Sequence, residues 1–325
     1  MSTKTSALKN TFSWSHSRKR LFDDCPRAYY FRYYGSWEGW LHDAPPLARA
    51  LYILKQLKSR QMWAGSVVHE AVEDHLRKVR SGITGMIEPD LLAERVIKDR
   101  LRPQFRESKD GLYLQDAKNR TGLLEHHYAQ PVSNEMWKAL AEDVKKALRN
   151  FVENYLGLAL DLAEEDWLLL EDLHSFELED VPVWVKCDFA FRDKQGRVVI
   201  VDWKTGKKVP EPGSFQLGCY GLYAVDRWGL DPSDVRVLEI NLTIGKEASA
   251  VIQKEDLEKT AEEITASIRH LKGLLRDPEI NGADSDDFKA RPSKRMCHWC
   301  SFLEACEEGR ACVPLAGGRR LEMLS

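Results

Sequence analysis

The chain has 325 residues, is 43% apolar and carries a formal net charge of −3, so it can bury a sizeable core and has no global nucleic-acid-binding charge. Its length allows one large domain, or one domain with a substantial insertion. No apolar run approaches the roughly 20 residues that span a bilayer, and the opening MSTKTSALKNTFSW lacks the apolar stretch of a signal peptide. The expectation is a cytoplasmic protein without a membrane segment, in which seven cysteines suit metal binding better than a disulfide framework.

In chain order, residues 13–34 mix basic and aromatic side chains and predict two short helices broken at Cys25-Pro26, because proline disfavours helical geometry in the residue before it. From Met62 to Val79, Val68, Val72, Leu76 and Val79 recur at helical spacing. The stretch 81–165, with LLAERVIKDRL and EMWKALAEDVKKALRNFVENYLGLAL, offers helices and no strand candidate. The character changes after Trp167. Residues 183–192, VWVKCDFAFR, alternate with Val183, Val185, Cys187, Phe189 and Phe191 on one face; the turn DKQG follows, then VVIVDWK at 198–204, which together predict a hairpin. Residues 214–227 return to helix, VRVLEINLTI and ASAVIQ supply two more strands, and 254–277 predict an amphipathic helix with Leu257, Ala261, Ile264, Ile268, Leu271 and Leu275 inward. From about 280 the chain is loop-like and holds four of the cysteines. The fold class is α/β (α+β), a mixed central sheet flanked by helices. Its parts are an N-terminal helical portion (1–80), a helical insertion (81–165), the core sheet (166–280) and a cysteine-bearing C-terminal segment (281–325).

Strand alternation puts Asp202 and Lys204 on one face with Val198 and Ile200, and Asp188 on one face with Lys186 and Trp184. Side-by-side pairing lets Asp188 and Asp202 converge, and two close carboxylates repel unless a divalent cation lies between them. Hard oxygen ligands suit Mg²⁺ or Mn²⁺. Lys204 would aim its ammonium at the same spot. A D-x-K triplet alone is commonplace, but this one directly follows the buried-strand run VVIV, where charges need a reason. Gly65 and His69 share one helix face, as do Gln216 and Tyr220 on the helix after the D-x-K strand. A lone inward histidine is usually a core residue; as a ligand it would be the neutral imidazole.

The order G-x-x-x-H, D, D-x-K, Q-x-x-x-Y, with Val201-Asp202-Trp203-Lys204-Thr205 in third place, resembles the RecB-like branch of the PD-(D/E)XK nuclease superfamily. The opening SxS…CPxxYxFRY, Ser13 to Tyr33, is similar to the start of those proteins. The resemblance leaves out roughly residues 85–165. It implies a restriction-endonuclease-like core and a metal-dependent DNA nuclease, with an exonuclease on single strands or DNA ends expected. His69, Asp188 and Asp202 would bind the cation with the carbonyl of Trp203, Lys204 would be the catalytic lysine, and Gln216 and Tyr220 the supporting motif near the DNA backbone. The family often has a glycine before the first aspartate, where this chain reads Val185-Lys186-Cys187. Some members carry an upstream glutamate, for which Glu171 is a candidate.

Cys297, Cys300 and Cys306, with distant Cys25, resemble the iron–sulfur staple of AddB-type and CRISPR-associated relatives, which implies a 4Fe-4S cluster held by four thiolates. Zinc and free thiols are the alternatives, and Cys312 competes with Cys306 because both end an x5 spacing. Cys187 and Cys219 read as core residues. If the staple joins the chain ends, Arg18, Lys19, Arg20, Arg27 and Arg32 meet Lys289, Arg291, Lys294 and Arg295 on a surface with Tyr29, Tyr30, Tyr33 and Trp299, a pattern for single-strand or end binding. Lys207 and Lys208 could add phosphate contacts. Partner proteins of a repair, recombination or CRISPR adaptation complex are conceivable for such a chain. The rival readings are a non-catalytic DNA-end-binding scaffold or helicase–nuclease subunit, and a zinc-stabilised RNA-binding module.

Overall fold

A computed structural model describes residues 8–83, 87–211, 213–315 and 317–321; residues 1–7, part of the opening stretch read for a leader, and the last four residues lie outside them. Strand β1 (Trp14–Ser15) leads into helix α1 (His16–Asp24), capped by the Ser15 hydroxyl, which accepts from the Arg18 amide at 3.2 Å. Helix α2 (Pro26–Tyr30) starts on its proline after an extended Cys25, which is the predicted break, and widens into a π turn at Phe31–Gly35. Helices α3 (Pro46–Leu54) and α4 (Arg60–Arg80) follow.

The described part of 81–165 is helical, as its periodicity predicts. It holds α5 (Pro89–Val96), a π turn at Ile97–Leu101, α6 (Arg102–Asp110), α7 (Leu124–His127), α8 (Asn134–Asn150), a π turn at Phe151–Tyr155 and α9 (Gly157–Leu160). The first π turn lies just before Pro103, whose missing N–H breaks the regular ladder. Leu92, Val96, Val144, Leu148 and Phe151 share one hydrophobic cluster with Val199, Val201 and Trp203 of the central sheet. The insertion is thus packed onto the sheet.

The central sheet has the order β2-β5-β6-β7-β8, built from β2 (Trp167–Leu170), β5 (Phe189–Arg192), β6 (Val198–Lys204), β7 (Val235–Asn241) and β8 (Lys246–Val251). Only the β6–β7 pairing is parallel, with α10 (Phe215–Trp228) crossing between those strands. Its second face packs Val198, Ile200 and Val237 against Leu217 and Tyr223 of α10 and Ile264 and Ile268 of α11 (Lys254–Lys272). That helix stops at Gly273, so Leu275, expected on its inner face, falls beyond it. A second sheet of order β1-β4-β3 adds β3 (Leu173–Leu178) and β4 (Val181–Lys186). Helices α12 (Lys294–His298) and α13 (Glu307–Cys312) carry Cys297 and Cys312, and Cys300 and Cys306 lie between them, in a third cluster with Phe31, Leu51 and Leu54.

The expectation of one strand over 183–192 needs correction. The chain makes two strands, β4 and β5, in different sheets. Val183, Val185 and Cys187 do share a cluster, but Phe189 and Phe191 join the opposite one. The partner segment switches likewise between Phe176 and Leu170. The registers Leu173↔Lys186 and Leu170↔Phe189 belong to one ladder, so a single long hairpin is bent where Glu171 and Asp188 stand opposite. The Glu171 amide donates to the Asp188 carbonyl at 3.0 Å across the bend.

The hairpin turns at Glu179 and Asp180, with φ +52° and +55°. Two positive values are the geometry of a two-residue type I′ turn, which glycine adopts without steric cost. Asp180→Gly is expected to stabilise the protein by about 0.5–1 kcal/mol, measured as a raised midpoint in urea with an unchanged slope.

Candidate metal centre

Helix α4 brings His69 to the bend. Its Nδ1 lies 3.3 Å from Asp188 Oδ1 and 3.4 Å from Glu171 Oε1. Among the described residues, His69, Glu171 and Asp188 form a set whose ligating atoms all lie within 4.8 Å of one another, which fits a single ion. Glu171 holds φ +56°, a left-handed conformation that L side chains rarely adopt, and functional sites are where such strain collects. Its second oxygen pairs with Lys186 Nζ at 2.6 Å. Lys186, which occupies the stretch where a glycine was expected, thus holds the glutamate in place. Sequence reading named Glu171 only by resemblance and gave Lys186 no role, because the bend that joins them leaves no periodic trace.

Asp188 and Asp202 come together at the end of β6. Asp188 Oδ2 accepts the Trp203 amide at 2.7 Å, so Trp203 contributes its backbone N–H to the centre. Asp202 is buried, and its Oδ1 accepts from Gln216 Nε2 and the Tyr220 hydroxyl, each at 3.2 Å. The Tyr220 hydroxyl accepts from Gln216 Nε2 at 2.6 Å and also reaches the Lys186 carbonyl at 2.9 Å. Asp202 Oδ2 has no hydrogen-bond partner but faces Lys204 Nζ at 2.5 Å, a charge contact without hydrogen-bond alignment. Lys204 Nζ donates to Gln216 Oε1 at 3.0 Å. The structure therefore gathers His69, Asp188, Asp202, Lys204, Gln216 and Tyr220 in one place, with Glu171 and Lys186 added.

Burial and the neighbouring Asp188 push the Asp202 carboxyl up to about 6. Burial pulls the His69 imidazole down, but Asp188 and Glu171 outweigh it and raise it to about 10. Burial, with Asp202 and Asp188, keeps the Tyr220 phenol protonated far above its usual range. Three carboxylates, Glu171, Asp188 and Asp202, meet Lys186, Lys204 and the His69 ring. A divalent cation would balance such a set, and Asp202 Oδ2 is buried without a hydrogen bond. The donor set, one imidazole with carboxylates, fits Mg²⁺ or Mn²⁺.

Gly65, one turn before His69, lies against the end of β6: a Cβ there would stand 2.8 Å from the Thr205 hydroxyl. Gly65→Val is expected to press on the Thr205 side chain and tilt His69 away from Asp188 without unseating α4. Metal affinity should fall about tenfold or more while the thermal midpoint changes little, read by Mn²⁺ titration.

The chain ends also meet. Cys25, Cys297, Cys300 and Cys306 line one cavity of about 480 Å³, with Arg291 donating its amide to Cys25 Sγ at 3.5 Å. No disulfide joins any of the seven cysteines, and Cys187 and Cys219 are buried in the core. Burial raises Cys300 to about 12 and Cys306 to about 11. Cys312 neighbours Cys297 but does not line the cavity.

The expected basic surface is only partly available. Arg18 donates to the Ser13 carbonyl and lies over the Tyr33 ring, Lys19 pairs with Asp23 and Glu263, and Arg27 donates to the Phe288 carbonyl. Arg20, Lys207, Lys208 and Arg295 are exposed; Lys208 pairs with Glu211. The aromatic part of that expectation needs correction: Tyr29 is fully buried, packed with Phe22, Tyr33 and Phe288, and leaves Trp299 exposed at 42%. No helix among the described residues is long and apolar enough to cross a membrane.

A family model for the PD-(D/E)XK nuclease superfamily matches residues 13–307. A comparison with curated proteins finds no match.

Proposed function

Because the chain belongs to the PD-(D/E)XK nuclease superfamily, we propose that it is a Mg²⁺- or Mn²⁺-dependent deoxyribonuclease of the RecB-like kind, acting on single strands or DNA ends. The single observation that carries this is the convergence of His69, Glu171 and Asp188 beside Asp202 and Lys204. When bound, the cation supplies positive charge against the scissile phosphate and acidifies water. His69, Glu171, Asp188 and Asp202 would hold it, together with the Trp203 carbonyl.

The chain's own residues set the geometry. Gln216 and Tyr220 fix Asp202 through Oδ1, and its Oδ2, which makes no hydrogen bond and faces the Lys204 ammonium, would be the oxygen that binds. Gln216 also anchors the Lys204 ammonium, which is then placed to orient a water or to meet charge developing on phosphate oxygens. Lys186 steadies Glu171 from the far side. Arg20, Lys207 and Arg295, exposed beside the two centres, would contact phosphates, with Arg18, Lys19 and Arg27 beneath them holding the surface together.

The cysteine cavity supports a 4Fe-4S cluster on Cys25, Cys297, Cys300 and Cys306, because one residue from the chain start and three from its end face the same space. The cluster would be structural. Iron rather than zinc suits a quartet with one remote member. Such a chain would work in DNA repair, recombination or CRISPR adaptation, with partner proteins of that complex.

The test is hydrolysis of end-labelled linear and closed circular single-stranded DNA with Mn²⁺, Mg²⁺ or EDTA. Cleavage of the linear substrate that requires the cation is expected. Binding without cation-dependent cleavage of either substrate would replace this reading with that of a DNA-end-binding scaffold.

A further inference from the structure

We infer that the helical insertion carries a track for single-stranded DNA, in the open groove between the α5–α6 run and α8. The groove encloses about 790 Å³. Lys98, Arg102, Arg106 and Lys109 line one wall; Lys138 and Lys145 line the other. Lys145 is paired with Glu142 at 2.7 Å. None of the other five forms an ion pair among the described residues, and Glu94 is the remaining acid of the lining. In a chain of net charge −3 this is a concentration of positive charge that composition hides.

The arrangement is a row, not a point. Lys98, Arg102 and Arg106 recur every fourth residue, Arg102 and Arg106 about 6 Å apart along the axis of α6. Like charges four apart repel and cost helix stability, so the row opposes folding unless an anion lies along it. A linear polyanion answers that geometry; a single phosphate would meet one or two of these cations. Arg100, in the same run, is a contrast: it pairs with Asp74 and Glu70 and holds the run to α4.

The floor is aromatic. Half-buried Trp137 packs on Phe105 at 5.0 Å and on His126 at 5.4 Å between ring centroids, and buried Trp63 backs it edge-on at 6.5 Å, so Trp137 and Phe105 are the rings that face the groove. A cationic wall beside aromatic rings is how proteins hold single strands, through phosphates and stacked bases together. A duplex would leave the rings idle. Trp63 and His69 stand on the same helix, six residues and so about 9 Å apart along its axis, so a strand leaving the metal centre has the groove within reach. The identity of the polyanion rests on the nuclease reading, while the existence of a polyanion site does not.

The test uses the full chain in EDTA and a fluorescent oligothymidylate of about 16 nucleotides. The triple variant Arg102→Gln, Arg106→Gln, Lys138→Gln should bind at least about tenfold more weakly and lower the salt slope of log affinity by about 2, from about 0.7 per lost phosphate contact. Its thermal midpoint should hold or rise, since repelling neighbours are removed. Trp137→Leu should weaken binding with the slope unchanged. Binding of the triple variant within about twofold of the parent overturns the track, and equal losses for a duplex of the same length overturn the single-strand assignment. Hydrolysis of bis(p-nitrophenyl) phosphate with Mn²⁺ should be the same in parent and variants. If no protein hydrolyses that ester or DNA, the nuclease reading fails, and the oligonucleotide titration still decides the track.

Discussion

Asp202→Asn is expected to lose at least about a thousandfold in DNA cleavage while gaining about 1–2 kcal/mol of stability at pH 8 without divalent cations. The loss follows from removing a charged ligand that also faces Lys204. The gain follows from burial and from Asp188, which hold the Asp202 carboxyl at about 6, above its ordinary value of 3.8. Between those two values the folded chain binds more protons than the unfolded one, so stability falls as pH rises through that window. The advantage of the variant should be full above pH 6, shrink below it and vanish under about pH 4. Urea titrations at several pH values in EDTA measure this. Saturating Mn²⁺ should then stabilise the parent more than the variant, because only a ligand that prefers the folded state shifts the equilibrium. A variant that cleaves at the parent rate, or whose stability difference ignores pH, removes Asp202 from the centre.

Cys25→Ser and Cys300→Ser are each expected to cost on the order of 5 kcal/mol, because the proposed staple would close a loop of roughly 270 residues. Protein purified without air should be brown and carry about four irons per chain, and both variants should lose the colour. Cys306→Ser should bleach it as well, whereas Cys312→Ser should keep it, since Cys306 lines the cavity and Cys312 does not. A colourless protein with one zinc would leave the staple in place but change its metal. Equal iron content in parent and Cys25→Ser would dissolve the link between the chain ends.

The legible parts of this fold are those where one element carries its own signal. The run VVIV before Asp202 marks a buried strand, and β6 is buried from Val198 to Trp203. The spacing of Val68, Val72 and Leu76 marks α4, and the glycine before His69 marks a close approach, realised by Thr205. The bend at Glu171 and Asp188 was not legible, because apolar side chains alternate evenly across it while the layer they enter changes. Strand β3 exposes half of its residues and buries only Phe176 fully, so it offers little alternation to read. Its turn is Glu179-Asp180, without the glycine or asparagine that usually announces such a hairpin. The aromatic residues near Cys25 were taken for a surface because they sit among arginines; Tyr29 and Tyr33 are four apart on a helical path and turn inward together. The cationic row of the insertion is hidden because Asp99, the paired Arg100 and Glu107 fall between its members along the chain.

The turn at Glu179 and Asp180 also divides the molecule's chemistry. His69 and Glu171 precede it; Asp188, Asp202 and Lys204 follow it, as do Gln216 and Tyr220. The cysteine quartet falls on either side of the same point. A peptide cut there would leave two fragments that are each inert, and cleavage activity would then count only the reassembled pairs.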